Sequence, residues 1–320
     1  MAFNVLAHNS LFGKGKIELE QQVDPVYFDR WEELSEDVCL ACDGLLIRSH
    51  QNVDHTILNQ FPNLKVIANV AVGYNNLNID ELNQRGIIAT NTPGVLSDSV
   101  ADLAIGLMIA CGRRLPEMEQ RVKNGEWKSS LSPEWFGQDL HHQTVGIVGM
   151  GKIGIEIARR AALGFKMKVR YYNRSRNEEA EVAYGAEPLE DLHALLRSSD
   201  YVCVVLPLTK ETYQLFDEQL FKAMKPSAYF INVARGAIVK EEDLIKALEE
   251  QEIRGAGLDV YENEPLSPDH PFLTMPQVVT LPHMGSATFQ TREQMGEVAV
   301  SQLLTGLRGE DPEYRIQNLK

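Results

Sequence analysis

The 320-residue chain has few cysteines, no excess of positive charge and no apolar run long enough to cross a membrane. Its four cysteines exclude a disulfide-rich secreted scaffold. Cys39 and Cys42 form a lone C-x-x-C pair, but no second pair of cysteines or histidines follows to complete a zinc site. We therefore expect buried core thiols and no bound metal.

Acidic residues outnumber basic ones by 45 to 31, which gives a net charge of −14 and a sequence pI near 5.1. This balance argues against nucleic acid or an anionic membrane as a partner. The longest apolar stretch, residues 101–112, contains Asp102 and falls short of the roughly 20 residues that a membrane span needs. The amino-terminal residues show no basic, cleavable leader, so we expect a cytoplasmic protein.

Short apolar runs alternate with amphipathic segments along most of the chain, and 44% of its residues are apolar, as in folded proteins. In the first block the predicted strands are 3–7, 44–47, 66–70 and 87–89, with helices at 27–34 and 79–84. A long helix is predicted at 97–115, followed by an irregular stretch at 127–136.

A second alternating block follows this irregular stretch. Its predicted strands are 144–148, 168–172, 201–205, 228–233, 253–257 and 278–281. Its predicted helices are 153–163, 189–196, 219–224 and 241–250, and a last helix covers 288–307. Strands and helices that alternate at this spacing predict parallel sheets covered on both faces.

A glycine-rich turn opens the second block. Gly149, Gly151 and Gly154 stand in G-x-G-x-x-G spacing, directly after an apolar strand and at the start of a helix. The first glycine permits a tight turn, the second admits a pyrophosphate, and the third allows the helix to pack on the strand. With Lys152 and Ile153, these residues are predicted to bind a dinucleotide at the helix start.

The next strand ends without the carboxylate that would hold the ribose hydroxyls of NAD. The residues in its place are Asn173, Arg174, Ser175 and Arg176. Arginine binds phosphate bidentately, so we predict that NADP(H) is preferred, with NAD(H) as the alternative. In the opposing interpretation, Arg174 and Arg176 belong to a solvated turn and pair with Glu178 and Glu179.

Three further residues could reduce a ketone. Arg235, Glu264 and His283 each follow a predicted strand, at the edge where open α/β sheets collect ligands. Arginine can orient a carboxylate and polarise a carbonyl, and histidine can donate a proton.

Together these motifs resemble a known family. Four segments match in order, namely the glycine turn, Asn232-Val-Ala-Arg-Gly-Ala, Gly257-Leu-Asp-Val-Tyr-Glu-Asn-Glu-Pro and Leu281-Pro-His-Met-Gly-Ser-Ala-Thr. They look like the signatures of the D-isomer-specific 2-hydroxyacid dehydrogenases, and the resemblance covers essentially the whole chain. Within that family the chain looks most like the glyoxylate/hydroxypyruvate reductases and the 2-ketogluconate reductases.

The resemblance implies a role for each matching residue. Arg235 would hold the carboxylate and keto oxygen of the substrate, His283 would give the proton, and Glu264 would hydrogen-bond His283. Backbone N–H groups near Val72 and Gly73 would contact the substrate carboxylate. The remaining implied cofactor contacts are Thr92, Thr209, Val233, Ala234, Gly285 and Asp259, the last of these to the nicotinamide carboxamide.

The same resemblance implies two Rossmann-like α/β domains with parallel sheets. A flavodoxin-like substrate domain, residues 1–96 plus 288–320, would be interrupted by an inserted NAD(P)-binding domain, residues 97–287. A homodimer would form through the cofactor domain, using helix 100–111 and the arm that follows it. Trp135 on that arm would either reach the substrate pocket of the neighbouring subunit or anchor the arm.

The leading hypothesis is therefore NADPH-dependent reduction of a small 2-keto acid, glyoxylate or hydroxypyruvate, to the D-2-hydroxy acid. The enzymatic alternatives are a 2-ketogluconate reductase (gluconate 2-dehydrogenase) and an NAD-linked D-2-hydroxyacid dehydrogenase. The alternative from another class is a nucleotide-sensing binding protein without physiological turnover.

Overall fold

The computed structural model describes residues 3–316, which divide into two compact units. One unit runs to Leu96 and resumes at Ser286, and the other is the intervening segment Ser97–Gly285. In the chain, the second unit thus interrupts the first. The first unit resumes at Ser286, whereas the sequence predicted residue 288.

The first unit contains a five-stranded parallel sheet in the order β2-β1-β3-β4-β5, which is the flavodoxin-like order. Its strands are β1 (Val5–His8), β2 (Val26–Phe28), β3 (Gly44–Ile47), β4 (Val66–Asn69) and β5 (Ile88–Thr90). Its helices are α1 (Gly13–Gln22), α2 (Glu36–Ala41), α3 (His55–Leu58), α4 (Ile79–Gln84) and α12 (Phe289–Leu307). Strands β1, β3 and β4 are buried throughout, because helices cover both faces of a parallel sheet.

The second unit contains a seven-stranded parallel sheet in the order β12-β11-β10-β9-β6-β7-β8. The strands are β6 (Thr144–Val148), β7 (Lys168–Tyr172), β8 (Glu187–Pro188), β9 (Tyr201–Val204), β10 (Tyr229–Asn232), β11 (Gly255–Leu258) and β12 (Val278–Thr280). The helices are α5 (Ser97–Gly112), α6 (Leu115–Lys123), α7 (Lys152–Arg159), α8 (Glu178–Tyr184), α9 (Leu192–Ser198), α10 (Glu218–Ala223) and α11 (Glu241–Glu249). This is the dinucleotide-binding Rossmann order with β12 added, and it confirms the predicted fold class.

One predicted helix is wrong. Residues 27–34 form the end of β2 and a 3₁₀ turn at Trp31–Glu33, because Val26, Tyr27 and Phe28 pair with β1 and bury the Phe28 ring. β-branched and aromatic residues favour a strand once a neighbouring strand is available.

Two helix boundaries also differ from those predicted. The helix predicted at 97–115 ends at Gly112, and after Arg114 in a left-handed conformation (φ 53°) α6 begins. The helix predicted at 189–196 begins at Leu192, because the Asp191 carboxylate accepts the N–H groups of His193 and Ala194 at 3.0 and 3.1 Å.

The four cysteines are free and buried, as predicted. Burial raises the pKa of the Cys42 and Cys111 thiols to about 12, so neither is a reactive thiolate near neutral pH. Within residues 3–316, no helix combines the length and apolar character that a membrane crossing requires.

Candidate active site

The glycine turn connects β6 to α7, and each of its glycines meets a different surrounding. Gly149 has φ +107°, and a Cβ there would lie 2.9 Å from the carbonyl oxygen of Val205. A Cβ at Gly154 would lie 2.2 Å from the carbonyl oxygen of Gly149, whereas a Cβ at Gly151 would meet nothing within 4 Å. A side chain at Gly149 or Gly154 would therefore collide with the backbone. Gly151 instead leaves open space at the start of α7. These residues fit a dinucleotide pyrophosphate.

Residues of the turn after β7 form hydrogen bonds with the glycine turn. Asn173 Oδ1 accepts the N–H of Met150 at 3.3 Å, and Asn173 Nδ2 donates to the Ser175 carbonyl at 2.9 Å. Asn177 Nδ2 donates to the Met150 carbonyl at 3.0 Å, and its Oδ1 caps α8. Sequence reasoning missed Asn177, although an Asn followed by two glutamates is a recognisable helix start.

The two arginines of that turn have different surroundings. Arg176 pairs with Glu181 through Nε to Oε1 at 3.1 Å and through Nη2 to Oε2. Glu181 also accepts the Tyr171 hydroxyl at 2.6 Å. The Arg176 and Tyr171 hydrogen bonds lower the pKa of Glu181 to about 2. The opposing interpretation considered Glu178 and Glu179 as partners of the two arginines, but the ion pair of Arg176 is with Glu181.

Arg174 and Ser175 are exposed at the tip of the same turn. Among residues 3–316, no acceptor forms a hydrogen bond or ion pair with the Arg174 guanidinium. The charge of Arg174 contributes to lowering the pKa of Glu211, but the main cause is the Thr209 hydroxyl, which donates to Glu211 at 2.7 Å. Arg174 is thus the arginine of this turn whose donors are available to a ligand.

Arg235 lies in the loop after β10, and hydrogen bonds of Asn232 stabilise this loop. Asn232 accepts the N–H of Ala234 at 3.0 Å and donates to the Arg235 carbonyl at 3.1 Å. A Cβ at Gly236 would lie 1.8 Å from the carbonyl carbon of Tyr261, so the loop lies directly against that backbone. Arg235 Nη1 donates to the Ala234 carbonyl at 2.6 Å, which fixes the guanidinium and leaves its other N–H groups available. Sequence reasoning missed Asn232 as the residue that closes this loop.

His283 and Glu264 form a short contact, with Nδ1 and Oε2 2.6 Å apart. Burial raises the pKa of Glu264, but the His283 hydrogen bond and charge, the Tyr261 N–H and Arg235 outweigh burial, so the net shift is downward. Glu264 is therefore an ionised acceptor, and Nδ1 of His283 carries the proton. Nε2 makes no hydrogen bond to a residue within 3–316 and is the ring atom that can serve a substrate.

The backbone of His283 is held in the left-handed region, with φ +50°, which a non-glycine residue seldom adopts. The two residues that follow bind Asp259, whose Oδ1 accepts the N–H of Met284 at 2.7 Å and whose Oδ2 accepts the N–H of Gly285 at 2.8 Å. Burial raises the pKa of Asp259, opposed by those two N–H groups. Its contact with a nicotinamide carboxamide stays a prediction.

Arg235, Glu264 and His283 converge in the second unit. They follow β10, β11 and β12, three adjacent strands, and Arg235 contributes to lowering the pKa of Glu264. Val233 and Ala234 lie in the Arg235 loop, and Thr209 follows β9. No group of three or more His, Cys, Asp or Glu residues that could hold a metal ion occurs within 3–316.

In the first unit, the loop after β4 presents N–H groups. The carbonyl of Val72 accepts from Asn91 Nδ2 at 2.8 Å, and the carbonyl of Gly73 accepts from Asn69 Nδ2 at 3.0 Å. The N–H groups of Val72 and Gly73 make no hydrogen bond to a described residue. Their role in binding a substrate carboxylate stays a prediction, as does the cofactor contact of Thr92, whose buried hydroxyl has no partner among the described residues.

A Rossmann-ordered sheet, a glycine turn open at its second glycine and a convergent Arg, Glu and His are the features of a dinucleotide-dependent oxidoreductase. Residues 105–285 match the family model for the NAD-binding domain of D-isomer specific 2-hydroxyacid dehydrogenases. The chain belongs to this family and is an NAD(P)-dependent oxidoreductase.

Relatives and solved structures agree with this assignment. A glyoxylate/hydroxypyruvate reductase B of Escherichia fergusonii is 47% identical over 264 residues, 82% of this chain and 81% of that protein. The enzyme of the same name from Pectobacterium carotovorum is 42% identical over 307 residues, 96% and 95% of the two chains. The NADPH-dependent glyoxylate/hydroxypyruvate reductase of Sinorhizobium meliloti, solved with NADP and malonate, superposes with a TM-score of 0.87 at 31% identity, covering 99% of this chain and 97% of that one.

Replacing Gly151 with Val should block cofactor binding without unfolding the protein. The new side chain would fill the open space at the start of α7 but would meet no protein atom within 4 Å at its Cβ. We expect the Kd for NADPH, measured by fluorescence titration, to rise by about tenfold or more, a loss of about 1.4 kcal/mol or more. Gly164→Val, also in open space, is the control; an unchanged Kd in Gly151→Val would contradict this account.

Proposed function

We propose that this protein reduces glyoxylate and hydroxypyruvate to D-2-hydroxy acids with NADPH as hydride donor. The convergence of Arg235, Glu264 and His283 on the sheet that carries the glycine turn supports this most directly. The relatives named glyoxylate/hydroxypyruvate reductase B support the choice of substrates. The proposal places the enzyme in the cytoplasm, where its free thiols would stay reduced.

The glycine turn, residues 149–154, would hold NADPH, which would supply a hydride for the reduction of the keto acid at C2. Arg235 holds the substrate carboxylate and the keto oxygen, so its positive charge stabilises the negative charge that develops on that oxygen. His283 gives the proton on Nε2 to the oxygen as the C2–H bond forms, which yields the neutral hydroxyl. Glu264 keeps the ring oriented and stabilises the imidazolium before this transfer.

His283→Ala should lower kcat for glyoxylate by about 100-fold or more, because general acid catalysis contributes about 10² to 10⁴. Arg235→Ala should raise KM and lower kcat together, since it removes both binding and polarisation. His141→Ala is the matched control, because His141 also pairs with a carboxylate, Asp139 at 3.5 Å. Steady-state NADPH oxidation checks these expectations, and near-normal kcat in His283→Ala would rule out the assigned proton donor.

The preference for NADPH is assigned to Arg174 and Ser175 at the tip of the β7 turn. The guanidinium of Arg176 stays paired with Glu181 and stabilises the turn. Arg176 therefore contributes less than Arg174 to binding the 2′-phosphate of NADPH. NADH would bind the same glycine turn without the arginine contact, so it would be the poorer cofactor.

Arg174→Ala should lower kcat/KM for NADPH by about tenfold, mainly through KM, and leave NADH nearly unchanged, because a charge-assisted hydrogen bond contributes about 1.5 to 3 kcal/mol. Arg176→Ala is the comparison, with a smaller loss for NADPH. Both are measured by initial rates with each cofactor. Equal use of NADPH and NADH by the unchanged enzyme would refute the assignment to NADPH.

We also infer a homodimer formed through the NAD(P)-binding unit. From α6 to the arm that follows it, five large apolar side chains are 48 to 63% exposed: Leu115, Val122, Trp127, Leu131 and Phe136. Such a concentration of exposed apolar surface marks an interface. Trp135 has the Arg121 guanidinium 4.8 Å above its ring, a contact that supports its role as an anchor of the arm.

Analytical ultracentrifugation should therefore give a mass twice the 35.9 kDa of the chain. The double change Trp127→Asp and Phe136→Asp should shift the protein to monomer, because it places charge in an apolar interface. Val182→Asp, at an apolar side chain that is 88% exposed outside this region, is the control. A monomeric unchanged protein at tens of micromolar would contradict the dimer.

A further inference from the structure

Glu264 lies in the long connection between β11 and β12, residues 259–277, whose regular structure is the 3₁₀ turn Pro271–Thr274. Its carboxylate must nevertheless stay at 2.6 Å from Nδ1 of His283 for the pair to act. Catalytic groups keep such a geometry only when the residues around them hold it closely. The contacts that fix this connection on either side of Glu264 therefore bear on the proposed chemistry.

Glu241, in the first turn of α11, contacts this connection on both sides of Glu264. Its Oε1 accepts the N–H of Glu262 at 2.5 Å, and its Oε2 lies 3.3 Å from Nε2 of His270. These contact points lie two residues before Glu264 and six residues after it. The side chains of Glu241 and His270 are 12% and 18% exposed, so solvent screens this carboxylate only weakly.

The surroundings of His270 suit its contact with Glu241. The N–H of Phe272 donates to Nδ1 of His270 at 3.3 Å, so the hydrogen of the neutral ring is on Nε2, the atom that faces the Glu241 carboxylate. The ring of His270 also packs on Phe272, with the ring centroids 4.7 Å apart, and Phe272 is buried in the core of the second unit. His270 therefore ties the Glu241 carboxylate to the core.

One peptide group links Glu241 to Glu264. Two successive N–H groups bind the two carboxylates, since the N–H of Tyr261 donates to Glu264 Oε1 at 3.1 Å and the N–H of Glu262 donates to Glu241 Oε1. Residues 261 and 262 share a planar peptide group, so a carboxylate that fixes the second N–H also limits the movement of the residue that carries the first. Glu241 can therefore act on Glu264 without touching it.

The same peptide group lies against the Arg235 loop. A Cβ at Gly236 would collide with the carbonyl of Tyr261, so the two backbones are in direct contact. Glu241 follows Arg235 by six residues, at the start of the helix into which this loop leads. Glu241 thus joins the segment that carries Arg235 to the segment that carries Glu264.

We propose that Glu241 is a positioning residue for the proton-donor pair, Glu264 and His283, an inference that rests on the proposed function. It acts through the backbone at residues 261–262 and through His270. Its effect is to keep Glu264 Oε2 on Nδ1 of His283, so that the imidazole presents Nε2 to the keto oxygen. Glutamate suits this role because its two oxygens face two donors, whereas glutamine would face one of them with its own N–H groups.

A double-mutant cycle separates positioning from a general effect on stability. Glu241→Gln should lower kcat for glyoxylate by about tenfold or more, because a small displacement of a catalytic group has a large effect on rate. In a Glu264→Gln background the same change should lower kcat by less than about twofold, because no ionised carboxylate is left to position. The Kd for NADPH should stay within about twofold throughout. Glu242→Gln, at the exposed neighbour in the same turn of α11, is the control.

His270 supplies a second pair of variants. His270→Leu removes the group that faces Glu241 and should lower kcat, whereas His270→Gln, which retains an N–H donor, should restore most of it. If Glu241→Gln fails to bind NADPH, His270→Leu takes its place in the cycle with the same expectations. An equal loss of kcat in the two backgrounds, or no loss in the enzyme that keeps Glu264, would overturn the proposal.

The tautomer of His283 gives a readout that needs no turnover. In protein labelled with ¹⁵N-histidine, with the His283 signal assigned by its loss in His283→Ala, NMR should show the neutral ring protonated on Nδ1. Glu241→Gln should shift part of the population to the Nε2 tautomer, and an unchanged His283 spectrum would overturn the positioning role. Failure of the unchanged enzyme to reduce glyoxylate would instead count against the proposed function, and the His283 spectrum would still decide the role of Glu241.

Discussion

The hydrogen bond between His283 Nδ1 and Glu264 Oε2, at 2.6 Å, is the interaction on which the chemistry of this protein depends. It requires an ionised Glu264, which Arg235 and the Tyr261 N–H help to maintain despite burial. The backbone of His283 is left-handed, and Asp259 accepts the N–H groups of Met284 and Gly285, the two residues that follow it. The strands β10, β11 and β12 are adjacent and end at one edge of the sheet. The fold therefore positions His283, the proposed proton donor, near Glu264 and Arg235.

Local charge matters more than net charge for an enzyme whose substrate and cofactor are anions. A net charge of −14 would repel both at long range, but exposed charges are largely screened beyond about 8 Å at physiological salt. The positive groups available to ligands in the second unit include the start of α7, Arg174 and Arg235. Several other arginines are paired with carboxylates, as Arg176 is with Glu181.

Sequence patterns predicted the glycine turn and every strand except β2 and β8, because buried parallel strands appear as continuous apolar runs. They failed at 27–34, where pairing with β1 decides the conformation, and they did not identify Glu181 as the partner of Arg176. The roles of Arg235, Glu264 and His283 came from the resemblance and stay predictions, whereas their convergence is a structural finding.

The most direct test of the central claim is the reduction of hydroxypyruvate by the unchanged enzyme, followed by NADPH absorbance and by chiral analysis of the product. The account predicts that NADPH is consumed one for one as D-glycerate forms. Absence of turnover, or formation of L-glycerate, would contradict it.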